Sequence, residues 1–174
     1  MRVELVTGTN DAMVAAVSER RVDAAFVAEA PATQEISHLP LFDERLVLIT
    51  AVDHRAVRRA KDVAGDTVIA FPAGCAYRRV VERWLAPDGL AAVRVMELGS
   101  YHAIVACVAA GAGVAVMPES VLDTVHSAQV ARHKLPQALA RRTTPFIWRR
   151  TQQGPAFLRL RELVQELGSA RRAR

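Results

Sequence analysis

The sequence alternates between short apolar runs of the β type and stretches with helical periodicity. Eight runs have the length and composition of strands, at residues 3–6, 24–27, 45–50, 67–71, 93–98, 113–117, 130–135 and 146–149. Helical spacing of apolar residues marks residues 11–21, 77–85, 100–110 and 157–167. Strands that alternate with helices form parallel sheets with helical crossovers, so the sequence predicts an α/β fold. Residues 29–40, with Pro31 and Pro40, are predicted to form a loop, and Ser100 is predicted to cap its helix.

Composition excludes two broad classes of protein. Hydrophobic residues make up 51% of the chain and charged residues 24%, which is too apolar for an intrinsically disordered chain. The longest apolar run, residues 103–117, is interrupted by Gly111 and Gly113 and is shorter than the roughly 20 residues that a membrane helix needs. No charged-then-apolar leader opens the sequence. We therefore expect a cytoplasmic protein that does not associate with membranes.

The charge and the cysteines point to neither a nucleic-acid platform nor a metal site. The net charge is +5, but the arginines are scattered and aromatic residues make up only 5%, so stacking of single strands is not indicated. Two cysteines, Cys75 and Cys107, are too few for a disulfide scaffold. Cys75, His102 and Cys107 have no third histidine or carboxylate at ligand spacing. We expect reduced thiols, no metal and no cofactor.

Two motifs resemble a cofactor-binding turn and a catalytic site, but ordinary structural roles explain them better. Gly111 and Gly113 follow a predicted helix and precede a strand, the reverse of a dinucleotide-binding turn, which predicts a helix C-cap and tight connection. His102 and Cys107 are five residues apart on one predicted helix, about 140° around its axis, so they do not share a face. Cys75 as a lone nucleophile has no adjacent signature. The sequence therefore favours a protein that is not an enzyme.

Small polar residues stand at three corners where a predicted strand leads into a helix. These corners hold Gly8 and Thr9, then residues 71–79, and then Ser100 with His102. Helix N-termini attract anions through oriented N–H groups, and Arg78 adds a planar fork suited to carboxylates. Each polar residue taken alone is equally well explained as a helix cap. Their joint occurrence predicts a cleft for a small anion at the carboxyl ends of parallel strands.

The sequence resembles the effector-binding domain of LysR-type transcriptional regulators over nearly its whole length. The matching segments are V-E-L-V-T-G-T-N-D, V-S-E-R-R-V-D-A-A-F-V, L-P-L-F-D-E-R-L-V-L-I-T, F-P-A-G-C-A-Y-R-R and E-L-G-S-Y-H-A-I-V-A-C-V-A-A-G-A-G-V-A-V-M-P. They occur in the order and spacing of that family. The G-C-x-Y-R turn is similar to that of a subgroup of its members.

The resemblance implies two Rossmann-like lobes, similar to those of type 2 periplasmic solute-binding proteins. Lobe I is expected at residues 1–52 with a return helix at 148–174, and lobe II at 53–147. Lobe I is expected to lack its first strand and helix, and the winged helix-turn-helix that precedes this domain in the family is absent from the sequence. The hinge residues implied by the resemblance are Ile49, Thr50, Phe146 and Ile147. The effector-binding residues implied by it are Gly8, Thr9, Pro72, Ala73, Gly74, Cys75, Tyr77, Arg78, Ser100 and His102.

Three functions remain open from the sequence. The first is an effector sensor that binds a small anionic metabolite, a carboxylate or an amino acid, between two lobes to control transcription; the ligand class is inferred from Arg78 and two helix N-termini. The second is a truncated binding or dimerisation protein without DNA binding. The third is an enzyme on the same fold that uses Cys75. The resemblance also implies a homodimer or higher oligomer, with DNA bound only through the absent N-terminal domain.

Overall fold

The computed structural model describes residues 3–90, 94–125 and 129–172. The chain forms two compact units, unit 1 (Met1–Asp43 and Thr143–Arg174) and unit 2 (Glu44–Arg142). The strands are β1 (Ala24–Phe26), β2 (Ile36–Ala51), β3 (Val68–Ala70), β4 (Val95–Glu97), β5 (Ala115–Pro118), β6 (Val130–Lys134) and β7 (Arg141–Arg149). The α-helices are α1 (Asn10–Ser18), α2 (Ala76–Leu85), α3 (Tyr101–Ala109), α4 (Glu119–Leu122), α5 (Gln137–Ala140) and α6 (Pro155–Arg172). Single 3-10 turns occur at Ala60–Val63 and Ala86–Asp88.

Unit 2 contains a two-stranded sheet of β3 and β4 beside the strands β5, β2 and β6. β3 pairs in parallel with β4, and Val68 also bridges in parallel to Val114, the residue that precedes β5. β5 pairs antiparallel with β2, whose other side pairs antiparallel with β6. The parallel crossovers predicted from the alternating pattern are therefore present, while the antiparallel pairs around β2 were not predicted.

Helices cover both faces of the unit 2 sheet. Val68 and Ala70 pack in one core cluster with Val80 and Trp84 of α2. Ile69, which points the other way on β3, packs with the α3 side chains of the second cluster. Successive residues of a strand face opposite sides of a sheet, so a strand covered on both faces is apolar throughout. This explains why the V-I-A run of β3 is fully buried.

Unit 1 contains β1, β7 and the first part of β2. β1 pairs antiparallel with β7, which in turn neighbours β2. Neighbouring residues of β7 serve two clusters: Ile147 packs with Val17 of α1, and Phe146 packs with Phe157 of α6. One helix therefore lies on each face of this sheet. Among the described helices of the chain, none has the length and apolar character to span a bilayer.

Three sequence-based predictions about elements are wrong. Residues 3–6 do not form a strand; Val3 and Leu5 are 68% and 86% exposed, because within the described residues no strand pairs with them. The predicted loop at residues 29–40 ends early, since β2 already begins at Ile36 and carries Pro40 at an exposed position. Ser100 occupies the N-cap position of α3 but its side chain makes no capping hydrogen bond.

The remaining elements differ from their predictions mainly at the ends. β7 begins at Arg141, before the predicted strand at 146–149, and β4 is shorter than the predicted strand at 93–98, whose first residue, Val93, lies outside the described residues.

The chain passes from one unit to the other at Asp43–Glu44 and again at Arg142–Thr143. These positions precede the proposed hinge residues. Ile49 and Thr50 lie buried in β2 within unit 2, and Phe146 and Ile147 lie buried in β7 within unit 1.

Candidate functional site

In unit 2, the strands that follow β3 lie on opposite sides of it, so the connections leave the carboxyl end of β3 in two directions. The chain runs from β3 through α2 to β4 on one side of β3, and then through α3 to β5 on the other side. α2 and α3 pack in different core clusters, on opposite faces of the sheet. In open α/β sheets, ligands bind outside the carboxyl ends of the strands at such a switch point. We therefore take this edge of unit 2 as the candidate site.

The loop after β3 forms a tight turn at this edge. The Cys75 N–H donates to the Pro72 carbonyl at 3.3 Å. Gly74 has a φ of +89°, a conformation that glycine adopts without the steric cost that a Cβ imposes. Pro72 and Ala73 are exposed, while Gly74 and Cys75 are half-buried. The loop predicted to bind effector is thus at the surface, immediately before α2.

The two helices that begin at this edge have no side-chain cap. Cys75 is the N-cap residue of α2 and Ser100 that of α3, and neither side chain accepts a hydrogen bond from its helix. The first N–H groups of a helix have no partner within the helix, and the helix dipole makes this end attractive to anions. Ser100 and His102 are both exposed. The absence of caps leaves these donors directed at solvent or a ligand.

In unit 1, Thr9 acts as a helix cap. Its Oγ1 accepts a hydrogen bond from the Ala12 N–H at 3.4 Å, at the start of α1. The neighbouring Asn10 ties the helix to the loop after β1, because its Oδ1 accepts from the Glu29 N–H at 2.9 Å. Gly8 and Thr9 precede α1 in a segment without regular structure. The capping alternative that the sequence left open therefore describes Thr9; its proposed role in effector binding stays a prediction.

Arg78 is held by two carboxylates. Its Nε donates to Glu82 at 2.9 Å and its Nη1 donates to Glu97, and the side chain is only 18% exposed. Hydrogen bonds to Glu82 and to Glu97 raise the pKa of the Arg78 guanidinium above its ordinary value. These two bonds use two of the five N–H groups of the guanidinium, and the two carboxylates offset its positive charge toward an incoming anion. The guanidinium that the sequence offered as an anion anchor is therefore engaged within the protein.

A polar and aromatic cluster that sequence reasoning missed lies at the same edge. The Tyr77 hydroxyl donates to Oε2 of Glu44 at 2.8 Å, and Tyr101 lies close enough to Tyr77 for each phenol to affect the pKa of the other. Tyr101 packs edge-on against Phe71, with ring centroids 4.8 Å apart. Glu44 reaches this place because Leu46 pairs with Pro118 at the carboxyl end of β5. We call Glu44, Tyr77 and Tyr101 the edge cluster.

Both tyrosines of the edge cluster stay protonated at neutral pH. Burial raises the pKa of Tyr101 to about 12, with Cys75 and Glu44 nearby adding to the effect. Burial raises the pKa of Tyr77 further above its ordinary value, and the charges of Tyr101 and Glu44 contribute. Desolvation and neighbouring negative charge both disfavour the phenolate. The two hydroxyls therefore serve as hydrogen-bond donors beside a carboxylate.

Cys75 is the N-cap residue of α2, and Cys107 lies on α3. Both are free thiols and half-buried, and Cys107 packs against the core cluster of α3. Across the described ranges no group of three or more histidine, cysteine or acidic side chains is positioned to hold a metal ion. Within those ranges the Cys75 thiol has no hydrogen bond to a histidine or a carboxylate.

The architecture of unit 2, with its switch point and uncapped helix N-termini, is that of a ligand-binding α/β domain. The family model described as the LysR substrate binding domain matches residues 1–169 of the chain. The chain therefore belongs to the LysR substrate-binding domain family, as its sequence motifs predicted.

Relatives and solved structures agree with that family. The chain is 31% identical over 120 residues to the HTH-type transcriptional regulator GltR of Bacillus subtilis, an alignment that covers 69% of this chain and 40% of GltR. It spans about half the length of the other curated relatives that it matches, such as SoxR of Arthrobacter, where 50% is covered. These relatives are named as HTH-type transcriptional regulators.

Two solved regulatory domains share the fold. The regulatory domain of CcmR from Synechocystis PCC6803, in complex with 2-PG, matches with a TM-score of 0.78 and 18% identity, covering 92% of this chain and 80% of that one. The effector-binding domain of QuiR, in complex with shikimate, matches with a TM-score of 0.77 and 16% identity, covering 94% and 79%. The likeness confirms the predicted α/β fold class.

Proposed function

We propose that this chain is the effector-sensing part of a LysR-type transcriptional regulator and that its carboxyl-edge loop in unit 2 contacts a small anionic metabolite. The observation that carries the proposal is the Pro72–Cys75 turn, exposed at Pro72 and Ala73, followed by a helix N-terminus without a side-chain cap. Its oriented N–H groups suit a carboxylate. Family membership and the small molecules bound by CcmR and QuiR support the same role.

The proposal extends to the rest of the predicted function. The effector shifts the equilibrium between conformations, and DNA is bound through an N-terminal winged helix-turn-helix of the kind that the family resemblance implies. The protein acts in the cytoplasm, where transcription takes place, and performs no chemical transformation of its ligand. The engaged Arg78 leaves the helix N-termini as the main anion-binding groups.

Placing a negative charge in the loop tests this role. We expect Ala73→Glu to weaken binding of a carboxylate effector by about tenfold or more, because like charge at a helix N-terminus repels the anion. Binding is found first by a thermal-shift screen of the purified chain against small carboxylates and amino acids, since a ligand raises the melting temperature by mass action. Its dissociation constant is then measured by calorimetry.

The control is Ala32→Glu, which makes the same change in an exposed loop of unit 1. It should bind the effector as the unchanged protein does. Equal affinities of the Ala73→Glu variant and the unchanged protein would contradict a site at the Pro72–Cys75 turn. A screen in which no compound shifts the melting temperature would speak for the dimerisation-only alternative.

We also propose that the chain forms a homodimer. Its support is the edge strand β4, which pairs only with β3 among the described strands and exposes Val95 and Met96. An apolar groove of about 400 Å³ runs beside it, lined by residues of α2 and by Val95. Exposed apolar edges favour pairing with another chain.

We expect Val95→Lys to raise the dimer dissociation constant about tenfold or more in sedimentation velocity. Unchanged self-association of this variant would exclude this surface as the dimer interface.

A further inference from the structure

The basic side chains of the first turns of α2 are engaged by protein groups. Arg78 binds Glu82 and Glu97, as described above. Arg79 donates to the Gly74 carbonyl at 3.5 Å, so it braces the turn that precedes its own helix. A ligand at this edge therefore meets backbone N–H groups before it meets a free cationic side chain of α2. The N–H groups at the helix N-termini are therefore the groups that we expect to bind the ligand carboxylate.

The edge cluster offers the opposite charge. Glu44 is half-buried, and its Oε2 accepts the Tyr77 hydroxyl at 2.8 Å. Within the described part of unit 2, the hydrogen bond to Tyr77 uses Oε2 of Glu44, and no bond to Oε1 is found. An ionised carboxylate has room for about four hydrogen bonds, so one donor leaves most of its capacity open. A donor group on a ligand gains more here than it gains in water.

The aromatic rings beside Glu44 select the kind of donor. Tyr101 lies close enough to Glu44 for its charge to raise the tyrosine pKa, and Phe71 holds the Tyr101 ring edge-on. A positive charge is attracted both to a carboxylate and to the face of an aromatic ring. A neutral hydroxyl or a second carboxylate lacks one or both of these attractions. The cluster is therefore suited to a cation.

We propose that Glu44, together with Tyr77 and Tyr101, binds a primary ammonium group of the effector, so that the effector is an amino acid and not a simple carboxylate. This inference rests on the proposed function and narrows its ligand class. The uncapped starts of α2 and α3 take the carboxylate, and Oε1 of Glu44 takes the ammonium group. Tyr77 is a positioning residue, because its hydroxyl holds Glu44 in place.

The test compares each common L-amino acid with the deamino acid of the same carbon skeleton, such as L-glutamate with glutarate and L-phenylalanine with hydrocinnamate. We expect at least one amino acid to bind the unchanged protein about 10- to 100-fold more tightly than its partner compound, measured by calorimetry. Loss of a charge-assisted hydrogen bond has an effect of this order. Glu44→Gln keeps an acceptor for Tyr77 but removes the charge, so it should abolish the preference.

The control variant is Glu162→Gln, which removes an exposed carboxylate from α6 in unit 1 and should preserve the preference. Deamino acids that bind as tightly as amino acids would overturn the inference and leave the sensing function intact. A preference that survives Glu44→Gln would do the same. If neither set binds, the proposed function fails along with the inference. If Glu44→Gln does not fold, the comparison of amino acids with deamino acids on the unchanged protein still tests whether the effector needs an ammonium group.

Discussion

Gly113→Ala is expected to destabilise unit 2 by about 3 kcal/mol or more, at the upper end of what overpacking costs. A Cβ at this position would lie 2.1 Å from the carbonyl oxygen of Thr67 and 3.0 Å from its carbon. The same carbonyl accepts the Val114 N–H at 2.9 Å, so it cannot retreat without breaking the bridge between β3 and the start of β5. The clash involves backbone on both sides, which no rotamer change relieves.

Urea unfolding followed by tryptophan fluorescence measures this effect. Trp84 lies in the core of unit 2, so a Trp148→Phe background leaves one reporter for that unit. Gly99→Ala is the control, because no heavy atom lies within 4 Å of a Cβ there, and we expect its stability to change by less than about 1 kcal/mol. Equal unfolding midpoints for the two alanine variants would show that the Gly113 contact does not constrain unit 2.

The glycine pair at residues 111 and 113 shows what local sequence predicts well and what it does not. A glycine after a helix predicts a C-cap, and Gly111 has a φ of +78° directly after α3. Gly113 has a different reason, since it is required by a backbone 46 positions earlier in the chain that passes within contact of it. Periodicity describes one segment at a time. Close approach between segments depends on the strand order.

The candidate site also contains features that local sequence predicts and features that depend on strand order. The Pro72–Cys75 turn and the start of α2 follow from glycine, proline and the change of period, and they were predicted from sequence. The pairing of Tyr77 with Glu44 was not, because it depends on β2 running antiparallel to β5. The loss of Arg78 as a free cation depends on Glu97, which the parallel β3–β4 pair brings beside α2. The sequence therefore predicted the turn and the start of α2, but not the charged groups that surround them.

The strand errors also have a physical cause. Residues 3–6 have the composition of a strand, but a strand is stable only when its backbone groups pair with a neighbour. In the described chain no partner lies beside them, and Val3, Leu5 and Val6 remain exposed. β2 shows the opposite case. Pro40 predicted a loop, but the strands that pair with β2 keep this segment in a strand. Pairing partners decided both cases, and a single sequence does not display them.

Phe146→Ala is expected to destabilise unit 1 by about 3–5 kcal/mol, the cost of deleting a large buried ring and leaving a cavity. The side chain is 2% exposed and packs with Leu41, Phe157 and Val164. Its ring also lies 5.1 Å from that of Phe26 and 5.7 Å from that of Trp148, measured between centroids. Such aromatic contacts add to the energy of burial.

Trp148 reports on this change directly, in a Trp84→Phe background that leaves it as the single tryptophan. The control is Phe26→Ala: the ring is the same, but it is 50% exposed, so we expect a loss of about 1–2 kcal/mol. A Phe146→Ala variant that unfolds at the same urea concentration as the Phe26→Ala variant would show that α6 and β7 close over the vacated space. A large loss of stability would show that five surrounding side chains hold Phe146 in the core, which favours a rigid position over the dihedral changes that a hinge at Phe146 requires.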